Sequence, residues 1–350
     1  MLPKHIRNGL ESCLELTRRD LMRVLGGTTL AGLAAPLVAA GDDGKTQQPV
    51  GPTPKDAAEG AVARFYKSLS DEQRKLICFP FDDSKRSMVN NNWQIVKPRI
   101  DDLTTAQQAI CTEIMKGLCS EDGFDRFMRQ MERDYGGFEQ YHVAVFGEPG
   151  TDKPFEWVLT GRHDTLRADG NSIEGLAFGG PIFYGHDATG TGDDDLKHTD
   201  NVWWYQGEQA NAIFKSLDDK QKQRALLNTA EPDVPESVRL HGEGIAARPG
   251  LAVSELDGQQ KEMVKKLLAD MLTPFRKCDA EEVQSCLREA GGIDPLRLTY
   301  FKQGDIGNDG VWDIWKVEGP AFSWYFRGSP HVHTWLHVAR SAQAQTLPKS

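Results

Sequence analysis

Phe65-Tyr66-Lys67-Ser68-Leu69-Ser70-Asp71-Glu72-Gln73 returns later in the chain as Ile213-Phe214-Lys215-Ser216-Leu217-Asp218-Asp219-Lys220-Gln221. In each copy Ser70 or Asp218 stands where a helix N-cap belongs, with a polar residue three positions on, the pattern that satisfies the first free backbone donors of a helix. A second echo follows in the same order, Leu103-Thr104-Thr105-Ala106-Gln107 against Leu256-Asp257-Gly258-Gln259-Gln260. Each leads into a stretch with apolar residues at three and four spacing, Ile110, Ile114, Met115 and Leu118 in one and Met263, Val264, Leu267, Leu268 and Met271 in the other. That spacing predicts an amphipathic helix.

Both halves then turn to β character. Residues 141–167 and 298–319 each read as strand, Gly-rich turn and strand, closed by Gly161 and Gly319. Helices leading into antiparallel hairpins, twice over, predict an α+β fold. The expected architecture is a duplicated module with pseudo-twofold symmetry in a single compact domain, with repeats at 58–200 and 201–350. A repeat of this length is a duplicated domain half rather than a solenoid unit. It places a cleft between the halves, where ligand sites form.

The N-terminus reads differently. Thr17-Arg18-Arg19-Asp20-Leu21 precedes an apolar Gly/Ala-rich stretch and the small-residue site Val38-Ala39-Ala40. This is the order of a signal peptide, and the paired arginines assign it to the twin-arginine route. The stretch is broken by Gly26, Gly27 and Pro36 and is shorter than the ~20 apolar residues of a spanning helix. Residues 1–40 are therefore expected to be removed, and 41–57, almost without apolar residues, to form a disordered leader. The expected location is the periplasm or the outside of a bacterial cell. The expected partners are the twin-arginine export machinery and signal peptidase, with no stable membrane insertion of the mature chain.

Cleavage at residue 40 removes five Lys/Arg and three Asp/Glu and leaves a formal charge of −12. So acidic a surface excludes nucleic acid and anionic lipid as partners. Cys78, Cys111, Cys119, Cys278 and Cys286 remain. Cys111 and Cys119 are about 12 Å apart on one helix, beyond disulfide reach. A Cys278–Cys286 bridge requires a helix break at Lys277.

The strongest chemical signal is His331-Val332-His333-Thr334-Trp335-Leu336-His337-Val338. As a strand it puts His331, His333, Trp335 and His337 on one face, open to a cavity or solvent, and Val332, Leu336 and Val338 on a packing face. Two histidines at i and i+2 can chelate one metal, with a third ligand from elsewhere. His163 follows the glycine that closes the first hairpin, and a twofold packing would bring it to this strand. The candidate metal ligands are therefore His163, His331, His333 and His337, with a carboxylate such as Glu318 assisting. The candidate metals are copper, zinc and iron. His142 lies in a strand, and His186, His198 and His241 read as exposed. Asp193-Asp194-Asp195 reads as an acidic surface loop. Gly-x-Ser-x-Gly, phosphate-loop and His-Glu-x-x-His motifs are absent from the sequence.

Phe146-Gly147-Glu148-Pro149, Trp157 through Gly161 with His163, Pro181-Ile182-Phe183-Tyr184-Gly185, Gly319-Pro320 and His331-Val332-His333 together resemble the exported bacterial family catalogued as domain of unknown function 3500. The resemblance runs from about Ala58 to the C-terminal strand. It implies the same region boundaries and the same three histidines, and no established activity. That family carries a paired histidine after the glycine and Asn-His-x-His near its end. Here Arg162 and Pro330 stand at the departing positions.

Three functions follow as expectations. The first is a metal-dependent periplasmic enzyme with a histidine-built site between the repeats. The second is a small-molecule binding module with a pocket of Trp157, Trp203, Trp204, Trp315, Trp324 and Trp335. The third is an envelope scaffold.

Overall fold

A computed structural model describes residues 57–190 and 200–344. The expected signal 1–40, the leader up to residue 56, Asp193-Asp194-Asp195 and His198 lie outside the described residues. Among the described residues, no helix is long and apolar enough to cross a membrane.

The first half opens with α1 (Ala57–Ser68) and α2 (Asp71–Ile77), then α3 (Thr105–Leu118) and α4 (Glu121–Tyr135). The second opens with α5 (Trp204–Ser216) and α6 (Asp219–Ala225), then α7 (Gly258–Leu272) and α8 (Lys277–Glu289). The repeated motifs mark the starts of α2, α3, α6 and α7, where Ser70, Thr104, Asp218 and Asp257 each close a capping box with the glutamine three residues on. The glutamines also face each other. The Gln73 and Gln107 amides bond reciprocally at 2.9 and 3.0 Å, and Gln107 donates to the Ser68 carbonyl at 2.9 Å. Gln221 and Gln260 repeat this at 3.1 and 3.0 Å, with Gln260 donating to Ser216 O at 2.9 Å. One side chain thus caps its own helix, ties it to the neighbouring cap and satisfies the end of a third helix. Gln107→Ala and Gln260→Ala are each expected to destabilise the protein by about 1–3 kcal/mol, because a helix cap and its part-buried partners lose their bonds. Urea unfolding midpoints measure this, and matched losses in the two variants are the expected result.

Among the described residues, eleven strands form one mixed sheet. In chain order they are β1 (Cys78–Phe79), β2 (His142–Gly147), β3 (Phe155–Gly161), β4 (Asp164–Ala168), β5 (Ile182–His186), β6 (Leu226–Leu227), β7 (Leu251–Ala252), β8 (Arg297–Phe301), β9 (Ile314–Glu318), β10 (Phe322–Arg327) and β11 (Val332–Val338). Across the sheet the order is β1-β2-β3-β4-β5-β11-β10-β9-β8-β6, with β7 beside β8. The edge strands β1 and β6 pair in parallel, each with its half's next strand, and the other pairings are antiparallel. Each half therefore runs edge to centre in the same way, and the halves meet antiparallel at β5 and β11, Tyr184 opposite Thr334. This is the α+β arrangement the sequence implies, in one sheet.

Strand alternation feeds two cores. Ile182, Tyr184, Trp324, Phe326, Val332, Leu336 and Val338 face the helices in the larger one. Phe183, Ile314, Tyr325 and Trp335 face the other way, under Val89 and Val238 from the loops that cross that face. Each fully buried aliphatic side chain contributes roughly 1.5–3 kcal/mol. All six tryptophans expected to line a pocket are buried in these cores. The helix layers of the two halves are linked where Ser120 Oγ donates to Thr273 O at 2.6 Å and Arg276 N donates to Leu118 O at 3.0 Å. Cys278 and Cys286 share the unbroken helix α8, which rules out a bridge between them.

Candidate metal centre

The sheet's midline carries the site. β3 turns into β4 through Arg162 and His163, with Gly161 paired to Asp164. Gly161 is required there, since a Cβ would stand 2.3 Å from the Tyr141 ring. His163 takes the left-handed conformation, φ 64°, which costs a non-glycine residue about 1–3 kcal/mol and is typical of functional positions. Three hydrogen bonds hold it: its N–H donates to Asn91 O at 2.8 Å, its carbonyl accepts from Gly185 N at 2.9 Å, and its Nδ1 donates to Asp134 Oδ2 at 2.7 Å.

The other two histidines come from the far half. His331 immediately precedes β11, and His333 lies in it opposite Gly185. A Cβ on Gly185 would meet Val332 O at 2.3 Å and lie 3.4 Å from the His163 Cβ, so glycine is what lets the rings approach. His331 Nε2 lies 3.2 Å from His163 Nε2 and 3.0 Å from His333 Nε2. Among the described residues, His163, His331 and His333 are the group whose ligand atoms all lie within 4.8 Å of one another.

Carboxylates fix two of these rings from behind. Asp134 accepts from His163, from His186 Nδ1 at 3.1 Å, from Gln130 Nε2 at 3.1 Å and from Asp187 N at 3.0 Å. Burial alone would raise its pKa, but the hydrogen bonds from His163 and His186 hold it well below the usual range. Asp233 accepts from His333 Nδ1 at 2.6 Å and from Trp335 Nε1 at 2.7 Å. Despite its burial it is held low, first by His333. A proton on each Nδ1 leaves the Nε2 of His163 and of His333 with its lone pair facing the cluster. Burial pushes His163 down to about 4 and lowers His333 as well, against the pull of their carboxylates. Both rings are therefore neutral near pH 7, the form that binds metal.

Three imidazole nitrogens so close, at least two of them acceptors, repel unless a cation or proton lies between them. A metal with ~2.05 Å bonds to nitrogen sets its ligand atoms about 3.3 Å apart when tetrahedral and about 2.9 Å apart at right angles. The observed 3.0 and 3.2 Å fall between these. The donor set therefore fits a metal ion.

His337 is not in this group. It sits four strand residues beyond His333, about 13 Å along β11. Fully buried, it donates from Nδ1 to Val238 O at 3.1 Å. The face expected to be open is covered by the second core, which corrects that reading. Glu318 is likewise engaged elsewhere, with Arg248 at 3.2 Å and Lys316 at 2.9 Å. His186 was expected to be exposed and is fully buried at the end of β5, bridging Asp134 and Asp200 O. His142 is buried in β2 against Pro98 O, and His241 is half-buried. Arg162 turns to Asp187 at 2.9 Å.

Sequence reasoning missed Asp134, Asp233 and His186. Asp134 carried a signal, because it continues the buried stripe Phe127, Gln130, Met131 of α4 at helical spacing, where a carboxylate is out of place. Asp233 lies in the loop Glu231-Pro232-Asp233-Val234-Pro235 and carried none.

A single α+β domain whose two halves bring three imidazoles together at the midline of one sheet defines a protein with a histidine cluster able to hold a metal ion. The chain belongs to the family described as Protein of unknown function (DUF3500), which matches residues 52–338. No curated protein and no solved structure matches it.

Proposed function

We propose that the chain is an exported metal-dependent enzyme, with one metal ion held by Nε2 of His163, His331 and His333. The observation that carries this is the pair of imidazoles backed at Nδ1 by Asp134 and Asp233 while their Nε2 atoms converge on His331. Carboxylate-backed histidines are the ordinary outer shell of metal sites, where they fix the tautomer and raise ligand basicity. Three protein ligands leave coordination positions for water and substrate, the arrangement of catalytic rather than structural zinc. Zinc would supply a Lewis acid that activates water near neutral pH, and copper and iron suit the same imidazoles. The chain's own residues orient the ligands, keep them neutral and bury the centre's rear.

Export by the twin-arginine route, expected from Arg18 and Arg19, fits this reading, since that route carries folded proteins and many of its cargoes take up a cofactor before export. The palindromic strand order and the matched glutamine locks support an origin by duplication, with the site formed where the copies meet.

Elemental analysis of the protein purified without chelators or a metal-binding tag tests the proposal. About one copper, zinc or iron per chain is expected, and loss of it in His331→Ala, His333→Ala with circular dichroism unchanged. A clean zero that persists after reconstitution with each metal would sink the reading.

A further inference from the structure

β5 ends in a histidine that the three-ligand cluster does not include. His186 is fully buried there, opposite Val332 of β11. Both of its ring nitrogens are engaged. Nδ1 lies 3.1 Å from Asp134 Oδ1, and Nε2 lies 3.0 Å from the Asp200 carbonyl oxygen. A carbonyl oxygen only accepts, so Nε2 carries a proton. An ionised carboxylate likewise only accepts, so Nδ1 carries one as well. A neutral imidazole has a single N–H, and a ring that donates from both nitrogens is an imidazolium.

Asp134 calls for the same charge. Besides His186, its Oδ1 accepts from Asp187 N at 3.0 Å, and its Oδ2 accepts from His163 Nδ1 at 2.7 Å and from Gln130 Nε2 at 3.1 Å. All four bonds run toward the carboxyl group, as an ionised carboxylate requires. A buried carboxylate without counter-charge is costly. Among the described residues the ion-pair partners of Asp134 are His163 and His186, with no lysine or arginine. Arg162 pairs instead with Asp187 at 2.9 Å. His163 turns a bare Nε2 to the cluster, so the positive charge falls on His186. The far half repeats the order of ligand, carboxylate and cation: Asp233 Oδ2 accepts from His333 Nδ1 at 2.6 Å and lies 4.0 Å from Arg327 Nε.

We propose that His186 is an imidazolium in the folded protein and a positioning residue of the histidine centre, supplying the positive charge that lets Asp134 stay ionised behind a neutral His163. Held between two imidazole N–H groups, Asp134 orients the His163 ring and fixes its tautomer, with the proton on Nδ1 and Nε2 free for a metal. The positioning role rests on the metal centre proposed above. The protonation of His186 follows from its own two acceptors and does not.

Nitrogen-15 spectra of the histidine rings in the chelator-treated full chain at neutral pH test the protonation. His186 is expected to show a proton on both ring nitrogens and His163 a proton on Nδ1 alone. A bare nitrogen on His186 overturns the proposal, whatever the chain does with metal. Zinc titration tests the positioning role. His186→Gln removes the charge and donates to one acceptor at a time, and it is expected to weaken zinc binding about 10–100-fold with circular dichroism unchanged. Parent-like zinc affinity in the folded variant overturns that role. If the variant does not fold, the spectra of the parent still decide the charge on His186. A parent that binds no metal overturns the histidine centre and the positioning role together, and leaves the protonation to be decided by the spectra.

Discussion

Alanine at Asp134 is expected to cost about 3–5 kcal/mol of stability and to abolish metal binding. Four donors converge on this carboxylate: His163 Nδ1, His186 Nδ1, Gln130 Nε2 and Asp187 N. The side chains of His163, His186 and Gln130 are buried, so water does not replace the lost acceptor. Removing the shared partner of buried polar groups leaves them unsatisfied, which is the costly direction of the hydrogen-bond balance. Asp134→Asn keeps the shape and one acceptor but presents an amide N–H where a donor already points. It is expected to weaken metal affinity about 10–100-fold, the usual effect of losing a histidine's carboxylate partner. Asp233→Asn gives the informative contrast. It supports His333 as Asp134 supports His163, yet it is only half-buried, so metal affinity should fall by a similar factor with a much smaller loss of stability. Metal titrations and urea unfolding of the three variants measure both quantities. Unchanged affinity in both asparagine variants would remove the carboxylates from any metal-supporting role.

Why the aspartates escaped the sequence while the histidines did not follows from what each signal encodes. Capping boxes and hairpins are local, and Ser70, Thr104, Asp218 and Asp257 are read within four residues. The pairing of His163 with β11 was reachable because the repeated motifs predict two like halves whose hairpins meet, and β5 and β11 do pair at the sheet's midline. Alternation along β11 assigned its two faces correctly, with Val332, Leu336 and Val338 to the helices and Trp335 away from them. It carried no information on what covers the second face. That cover comes from loops such as the one bearing Val238, whose path is set by long-range contacts. Asp233 arrives on one of these loops, held by Lys316 bonding to Glu231 at 2.8 Å. Asp134 was legible in part, as a charge on an apolar helical stripe, but the partner it serves is determined only by tertiary packing.

His337 carries the consequence of that hidden cover, and it supplies a large expected pH effect. Its Nδ1 donates to Val238 O, and its Nε2 is buried without a partner. A second proton would therefore create a buried cation with no acceptor. Burial lowers its pKa to about 4, and the charges of Arg167 and Arg239 act in the same direction. In the unfolded chain the value returns to about 6.5. The unfolded state thus takes up a proton first as pH falls, so the contribution of neutral His337 is intact above about pH 6.5 and lost progressively down to about pH 4. The total is about 3 kcal/mol, at roughly 1.4 kcal/mol per unit. In chelator-treated protein, where metal release adds nothing, His337→Asn is expected to keep the bond to Val238 O through its amide and to lose much less stability than the parent between pH 7 and pH 4.5. Equal acid sensitivity in the two proteins would mean that other groups govern the transition. A variant that instead loses metal at neutral pH while remaining folded would return His337 to the site from which the geometry separates it.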